Sequence, residues 1–243
     1  MPPAPPRPDS PIALPANQVH VWRASLRADA DELRHARDLL VPEEQERALR
    51  YRHGADAARF VMRRGLLRLL LSRYLGQPGR AIGLRTSEHG KPALLATATP
   101  SVLHFSLSHS RDAALYAFAM GRAVGVDIER VGADISGALG TVVGDDLLAR
   151  TSALPADRRL ELSYRYWVRA EACLKAAGTG LPGAASLLGD GGADGRMAGG
   201  LVRTATSDFR LWDLGRGHSH AAALAVEGRD VATVRIARLR APT

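Results

Sequence analysis

Asp127 and Glu129 stand one residue apart in AVGVDIERV, residues 123–131, a stretch that is otherwise apolar and strand-like. Alternate side chains of a strand share a face, so both carboxylates point one way while Val126 and Ile128 point the other. Two like charges placed so repel each other unless water or a cation separates them. Further on, YWVRAEACLKAAGTGL spaces Trp167, Glu171 and Lys175 four apart, along one stripe of a helix. Each segment has an ordinary reading. The strand acids fit the solvated face of an edge strand, and Glu171 with Lys175 fits a surface ion pair adding about 0.2–0.5 kcal/mol. Together they fit a different chemistry. A hard divalent cation such as Mg²⁺ takes a few carboxylate oxygens plus water and phosphate oxygens. Two acids from a strand and a third from a facing helix supply that set, and a lysine beside them balances phosphate charge.

Elements must exist that can hold these residues. QVHVWRASL alternates as a strand does, and VPEEQERALRYR opens a helix with Pro42 followed by acids. A second helix is expected from about Asp56 to Tyr74, closed by Gly76, Pro78 and Gly79. A turn-rich segment then presents SEHGKPAL. SVLHFSLSHS, AALYAFAM and AVGVDIERV follow as three strands of an expected antiparallel meander. Helices are expected over about 137–150 and 157–177, then a glycine-heavy loop, GDGGADGRMAGG, then strands near 201–206, 209–214, 220–226 and 231–236. This order is that of an α+β chain in two halves of similar size dividing near Gly121–Arg122. The expected organisation is a proline-rich mobile tail over 1–16, a first half over 17–121 and a second half over 122–243 that carries the acids.

Composition bounds the rest. The 243 residues are 46% hydrophobic, enough for a sizeable core. The most apolar run, GLLRLLLSRYL, is interrupted by Arg68 and Arg73, so no membrane span is expected. The N-terminus lacks the apolar stretch of a signal peptide, and the single Cys173 fits a reducing cytoplasm. The net charge of +8 favours acidic partners. Only Lys91 and Lys175 interrupt the use of arginine, marking two places where a compact ammonium replaces a planar fork. Nucleic-acid binding asks for gathered arginines with aromatics for stacking; aromatics are 5% and the arginines are spread along the chain, which speaks against it.

VGVDIE followed by WVRAEACLKAAGTGL resembles the signature of the 4′-phosphopantetheinyl transferases, whose usual form is VGVDIE followed by W-x-x-K-E-A-x-x-K. VPEEQERALRYRHGADAARFVMRRGLLR resembles the N-terminal helices of the larger, surfactin-type members; EHGKPAL resembles their GKP loop and FSLSHS their ISHS strand end. The resemblance runs from about residue 17 to the C-terminus. It implies a pseudodimer of two similar α+β halves, each a small antiparallel sheet packed with helices, with coenzyme A in the cleft between them. The implied reaction moves phosphopantetheine from coenzyme A to a serine of an apo carrier protein and releases adenosine 3′,5′-bisphosphate. Carried over by position, Asp127, Glu129 and Glu171 hold Mg²⁺, or Mn²⁺ in its place, and Glu171 is the base for the serine hydroxyl, directly or through a metal-bound water. His109 and Ser108 contact phosphate oxygens. Gly90, Lys91 and Pro92 lie against the adenine and phosphate end. Arg47 and Arg59 bind coenzyme phosphates, and Lys175 faces the pyrophosphate. The expected protein is a cytoplasmic monomer whose basic charge suits an acidic acyl or peptidyl carrier protein.

Two departures stand out. The family's lysine before the metal-binding Glu is here Ala170, and Arg169 lies about 100° round the helix, so it cannot stand in. Slower chemistry is the expectation. The segment SGALGTVVGDDLLARTSALP has lost the family's Phe-x-x-x-Glu helix start, with Asp145 and Asp146 near the acid's place. The Ala170 departure leaves open a degenerate homologue that binds coenzyme A or a carrier without transferring.

Overall fold

The computed structural model describes residues 11–86, 91–95, 102–141, 143–178, 200–203, 207–215, 219–230 and 233–241. The first half runs β1 (Gln18–Ser25), α1 (Ala30–Asp38), α2 (Pro42–Leu49), α3 (Gly54–Leu75), a small hairpin of β2 (Leu84–Thr86) and β3 (Pro92–Leu94), β4 (Leu103–Ser110) and β5 (Ala113–Met120). The second runs β6 (Val124–Arg130), α4 (Ser136–Leu139), α5 (Asp145–Ser152), α6 (Ala156–Ala177), β7 (Gly200–Arg203), β8 (Asp208–Asp213), β9 (His220–Glu227) and β10 (Thr233–Leu239). The fold is α+β: two four-stranded sheets, ordered β10-β1-β5-β4 and β6-β9-β8-β7, each packed with helices.

Period-two alternation builds the layers. Trp22 and Ala24 of β1 with Phe105 of β4 and Phe118 of β5 turn toward α3 and bury Leu66, Leu67, Leu70 and Leu71. The opposite faces carry Val19, Val21, Leu115 and Ala117, which meet Val124, Val126, Ile128 and Leu224 of the other sheet. A third core lies between the second sheet and α6, around Val168, Ala172, Phe209 and Leu211. The order of layers is therefore helix, sheet, sheet, helix, with apolar side chains filling each gap. No described helix is long and apolar enough to cross a membrane.

Several expectations meet corrections here. The meander stops after β5: β4 and β5 pair antiparallel, but β6 pairs with β9. The turn holding Gly121, at φ +66°, sends the chain into the other sheet. The helix expected over 137–150 is two short ones, interrupted between Gly140 and Gly144, where glycine weakens a helix. An unforeseen helix, α1, starts on an Asp29 cap that accepts from the backbone N–H groups of Asp31 and Glu32, while Glu32 accepts from the N–H of Asp29. Within the stretch read as a tail, Ile12 and Leu14 pack on the first core, and the Ile12 N–H donates to the Arg73 carbonyl at 3.0 Å. β10 crosses back to pair in parallel with β1, so the last strand of the chain belongs to the sheet of the first half.

Candidate active site

β6 is an outer strand of its sheet, and it presents Gly125, Asp127 and Glu129 on the face that meets α6. The two packed elements touch without a side chain between them at Gly125. A Cβ there would lie 1.9 Å from the Ala172 carbonyl oxygen and 2.5 Å from the Ala176 nitrogen. This close approach sets the partly open stripe of α6 against the strand acids. Trp167, Glu171 and Lys175 are its half-buried members, while Val168, Ala170, Ala172 and Leu174 are buried around them.

Asp127 is the centre of the arrangement, 2% exposed. Its Oδ1 accepts from Ser108 Oγ at 2.7 Å and from Lys175 Nζ at 2.6 Å. Its Oδ2 is buried without a partner. Such an oxygen costs free energy in a folded protein unless something binds there. Glu129 accepts from Ser110 Oγ at 2.8 Å. Burial raises the Glu129 carboxyl above its ordinary value, and the nearby charges of Asp127 and Glu171 add to that. Burial and the charge of Asp127 likewise raise Glu171. The structure thus brings the three acids and Lys175 into one electrostatic group, from a strand and a helix far apart in sequence.

A hard cation fits this donor set in kind. The donors on offer are carboxylate oxygens, one is unpartnered, and burial together with neighbouring negative charge raises two of the acids. As placed, no group of three His, Cys, Asp or Glu side chains among the described residues is gathered to hold an ion, and the Lys175 ammonium supplies the positive charge against Asp127.

Lys91, at the start of the hairpin's second strand, reaches across the halves. Its Nζ donates to the carbonyl of Val124 at 3.2 Å and also to that of Lys175, in the last turn of α6. A cation at a helix C-terminus is favourable. Burial and the neighbouring Lys175 charge lower its ammonium to about 8. Pro92 follows as the first residue of β3, and Gly90 lies outside the described residues.

His109 sits on the opposite face of β4 from Ser108, the face that carries Phe105 toward α3. Its ring reaches solvent, yet partial burial, with the Arg63 charge beside it, lowers the imidazole to about 4. Nothing in the order of residues singles out Arg63. Its guanidinium lies 5.7 Å from the centre of the Phe60 ring, and Arg47 lies 5.4 Å from the same centre. Burial lowers Arg63, and the cations Arg64 and Arg47 lower it further. Two arginines sharing one aromatic ring beside a histidine gather positive charge of the kind that can attract an anion. Arg59 is placed differently. It donates to Asp112 at 2.8 Å and Asp56 at 3.0 Å, so carboxylates of this chain already hold it. Arg169, beside Ala170, turns into the second half and makes a two-toothed pair with Asp213, which Arg165 shares.

Comparison with known proteins agrees with this architecture. Residues 22–120 match the model of the 4′-phosphopantetheinyl transferase N-terminal family, and residues 123–225 match that of the 4′-phosphopantetheinyl transferase superfamily. The chain is 32% identical over 173 residues to 4′-phosphopantetheinyl transferase HetI of Nostoc sp., covering 70% of this chain and 73% of that protein. It is 29% identical over 148 residues to 4′-phosphopantetheinyl transferase Sfp of Bacillus subtilis, covering 58% of this chain and 62% of that protein. Matched across both halves of its chain and to a 32% identical relative, this protein is an enzyme of the 4′-phosphopantetheinyl transferase superfamily, to which it belongs.

Proposed function

We propose that this enzyme transfers the 4′-phosphopantetheine arm of coenzyme A to a serine hydroxyl of an apo acyl or peptidyl carrier protein. The observation that carries this reading is the joining of Asp127, Glu129, Glu171 and Lys175, with one Asp127 oxygen buried and unpartnered. Asp127, Glu129 and Glu171 would hold Mg²⁺, or Mn²⁺ in its place. When bound, that ion supplies charge neutralisation for a pyrophosphate. The serine oxygen bonds to the phosphorus that bears the pantetheine, and the bond from that phosphorus to the bridging oxygen breaks. Adenosine 3′,5′-bisphosphate leaves with the electron pair, and the serine proton passes to Glu171. Lys175 stands beside the acids to stabilise charge as the bond breaks. Arg47, Arg63 and His109 receive phosphate oxygens at the α3 side of β4. Positioning and charge are most of what phosphoryl transfer asks of a protein, and these residues supply both.

The net charge of +8 suits an acidic carrier, whose docking should weaken with added salt. We place the reaction in the cytoplasm and in a single chain. The test is direct. The protein is incubated with coenzyme A, Mg²⁺ and a panel of apo carrier proteins, and the products are weighed by mass spectrometry. A gain of one phosphopantetheine, abolished by Glu171→Ala with coenzyme A binding intact, is the expected result. Tight coenzyme A binding with no gain on any carrier would favour the degenerate homologue that Ala170 leaves open.

A further inference from the structure

β4 and β6 are the outer strands of two different sheets, and backbone pairing does not join them. Three serines at every second position of β4 bridge the gap. Ser106 Oγ accepts the N–H of Val126 at 3.2 Å, Ser108 Oγ accepts that of Ile128 at 3.4 Å, and Ser110 Oγ accepts that of Arg130 at 3.0 Å. The pairs 106–126, 108–128 and 110–130 keep a constant offset, so the two strands run side by side in the same direction. Each hydroxyl takes the place of a missing backbone carbonyl at an edge that would otherwise present bare donors.

A serine hydroxyl has one proton to give while its lone pairs accept. Ser108 gives that proton to Asp127 and Ser110 gives its own to Glu129. Each acid is therefore held by a hydroxyl whose own direction is set by the N–H of the residue after that acid. Without such a hold a half-buried glutamate keeps more rotamer freedom, and ordering it would draw on the free energy of ion binding. Ser106 is the informative exception: it joins the same ladder and, among the described residues, hydrogen-bonds no acid.

We propose that Ser110 is a positioning residue, whose hydroxyl fixes the Glu129 carboxylate for the divalent ion, and that the serine ladder is how the first half shapes the acid site of the second. The inference rests on the reading under Proposed function that these acids hold such an ion. The test titrates Mn²⁺ into the full chain and follows the free-ion signal by electron paramagnetic resonance, alongside thermal melting of the metal-free protein. Ser110→Ala should weaken Mn²⁺ binding by about 10–100-fold, the range seen when a hydrogen-bond partner of a metal ligand is removed. Ser110→Thr, which keeps the hydroxyl, should bind Mn²⁺ as the parent does. Ser106→Ala should lower the melting temperature as Ser110→Ala does and leave Mn²⁺ affinity unchanged. Should Ser110→Ala melt early yet bind Mn²⁺ like the parent, the serine is only a strut and the proposal falls alone. Should the parent itself bind no Mn²⁺, the proposal falls together with the metal reading.

Discussion

At position 170 the family resemblance leads one to expect a lysine, and the chain instead has an alanine wholly buried in the core between α6 and the second sheet. A lysine stem starting there would have to displace packed side chains to bring its ammonium to water, and an unpaired buried charge is costly. Against the slower chemistry expected from the missing lysine, Ala170→Lys should therefore lower the melting temperature without raising turnover. A variant as stable as the parent and faster would show that this position opens to the reacting groups. The acids were legible in the sequence because a strand alternates with period two and because VGVDIE and WVRAE form a pattern. Arg63 was not legible. Among so many arginines nothing in the order of residues singles it out; only its stacking with Arg47 on Phe60, and its field at His109, do so. Nor could spacing show that Arg59 is taken up by Asp56 and Asp112, since Asp112 lies in the turn between β4 and β5.

At the scale of elements, the site depends on how near α6 comes to β6. Gly125→Ala would push a methyl into the α6 backbone, so the helix must withdraw or the strand bend. Transfer should fall by orders of magnitude with a loss of stability of about 1–3 kcal/mol, the usual cost of overpacking. Wild-type transfer in a well-folded Gly125→Ala protein would contradict the close approach. In the first half, α2 and α3 are joined by Glu44, which accepts from Arg64 and from both Arg68 Nε and Nη2, at 2.5 and 2.9 Å for Arg68. Burial pushes the Glu44 carboxyl up, and the Arg68 and Arg64 guanidiniums outweigh it, so the net value lies below 4.5. The stability this adds is full above 4.5 and drains away as pH falls through the lower folded value. Glu44→Gln should cost about 3–5 kcal/mol near neutral pH, because Arg68 stays buried without its anion. The gap to the parent in urea titrations should close as acid is added; a gap that ignores pH would refute the ion-pair account. Helix periods made α3 and α6 readable from sequence. The Asp29–Glu32 cap of α1 was equally present there, but nine polar-rich residues carry little apolar rhythm. That β6 leaves the meander was unreadable, since a short turn after a strand does not say which sheet comes next.

For the whole molecule, the crossing of β10 makes the two halves of the chain unequal to the two halves of the fold. Cutting between Gly121 and Arg122 removes the parallel neighbour of β1, along with Leu239 from the first core. A fragment ending at Gly121 should therefore lack native amide protection in β1 when followed by hydrogen exchange, and adding the fragment from Arg122 onward should restore it. A first half that protects β1 alone would show that β10 is dispensable. The chain thus passes through the first sheet, then the second, and returns to the first. The serines that grip the acids and the acids themselves lie on opposite sides of that path, yet both are bound into one covalent thread. Were these two faces carried on separate chains, the site would exist only as far as mass action kept them together, and scarcity of the protein would dissolve it. Here serine ladder and acid strand belong to one chain, so their encounter is first order in protein and does not draw on its concentration.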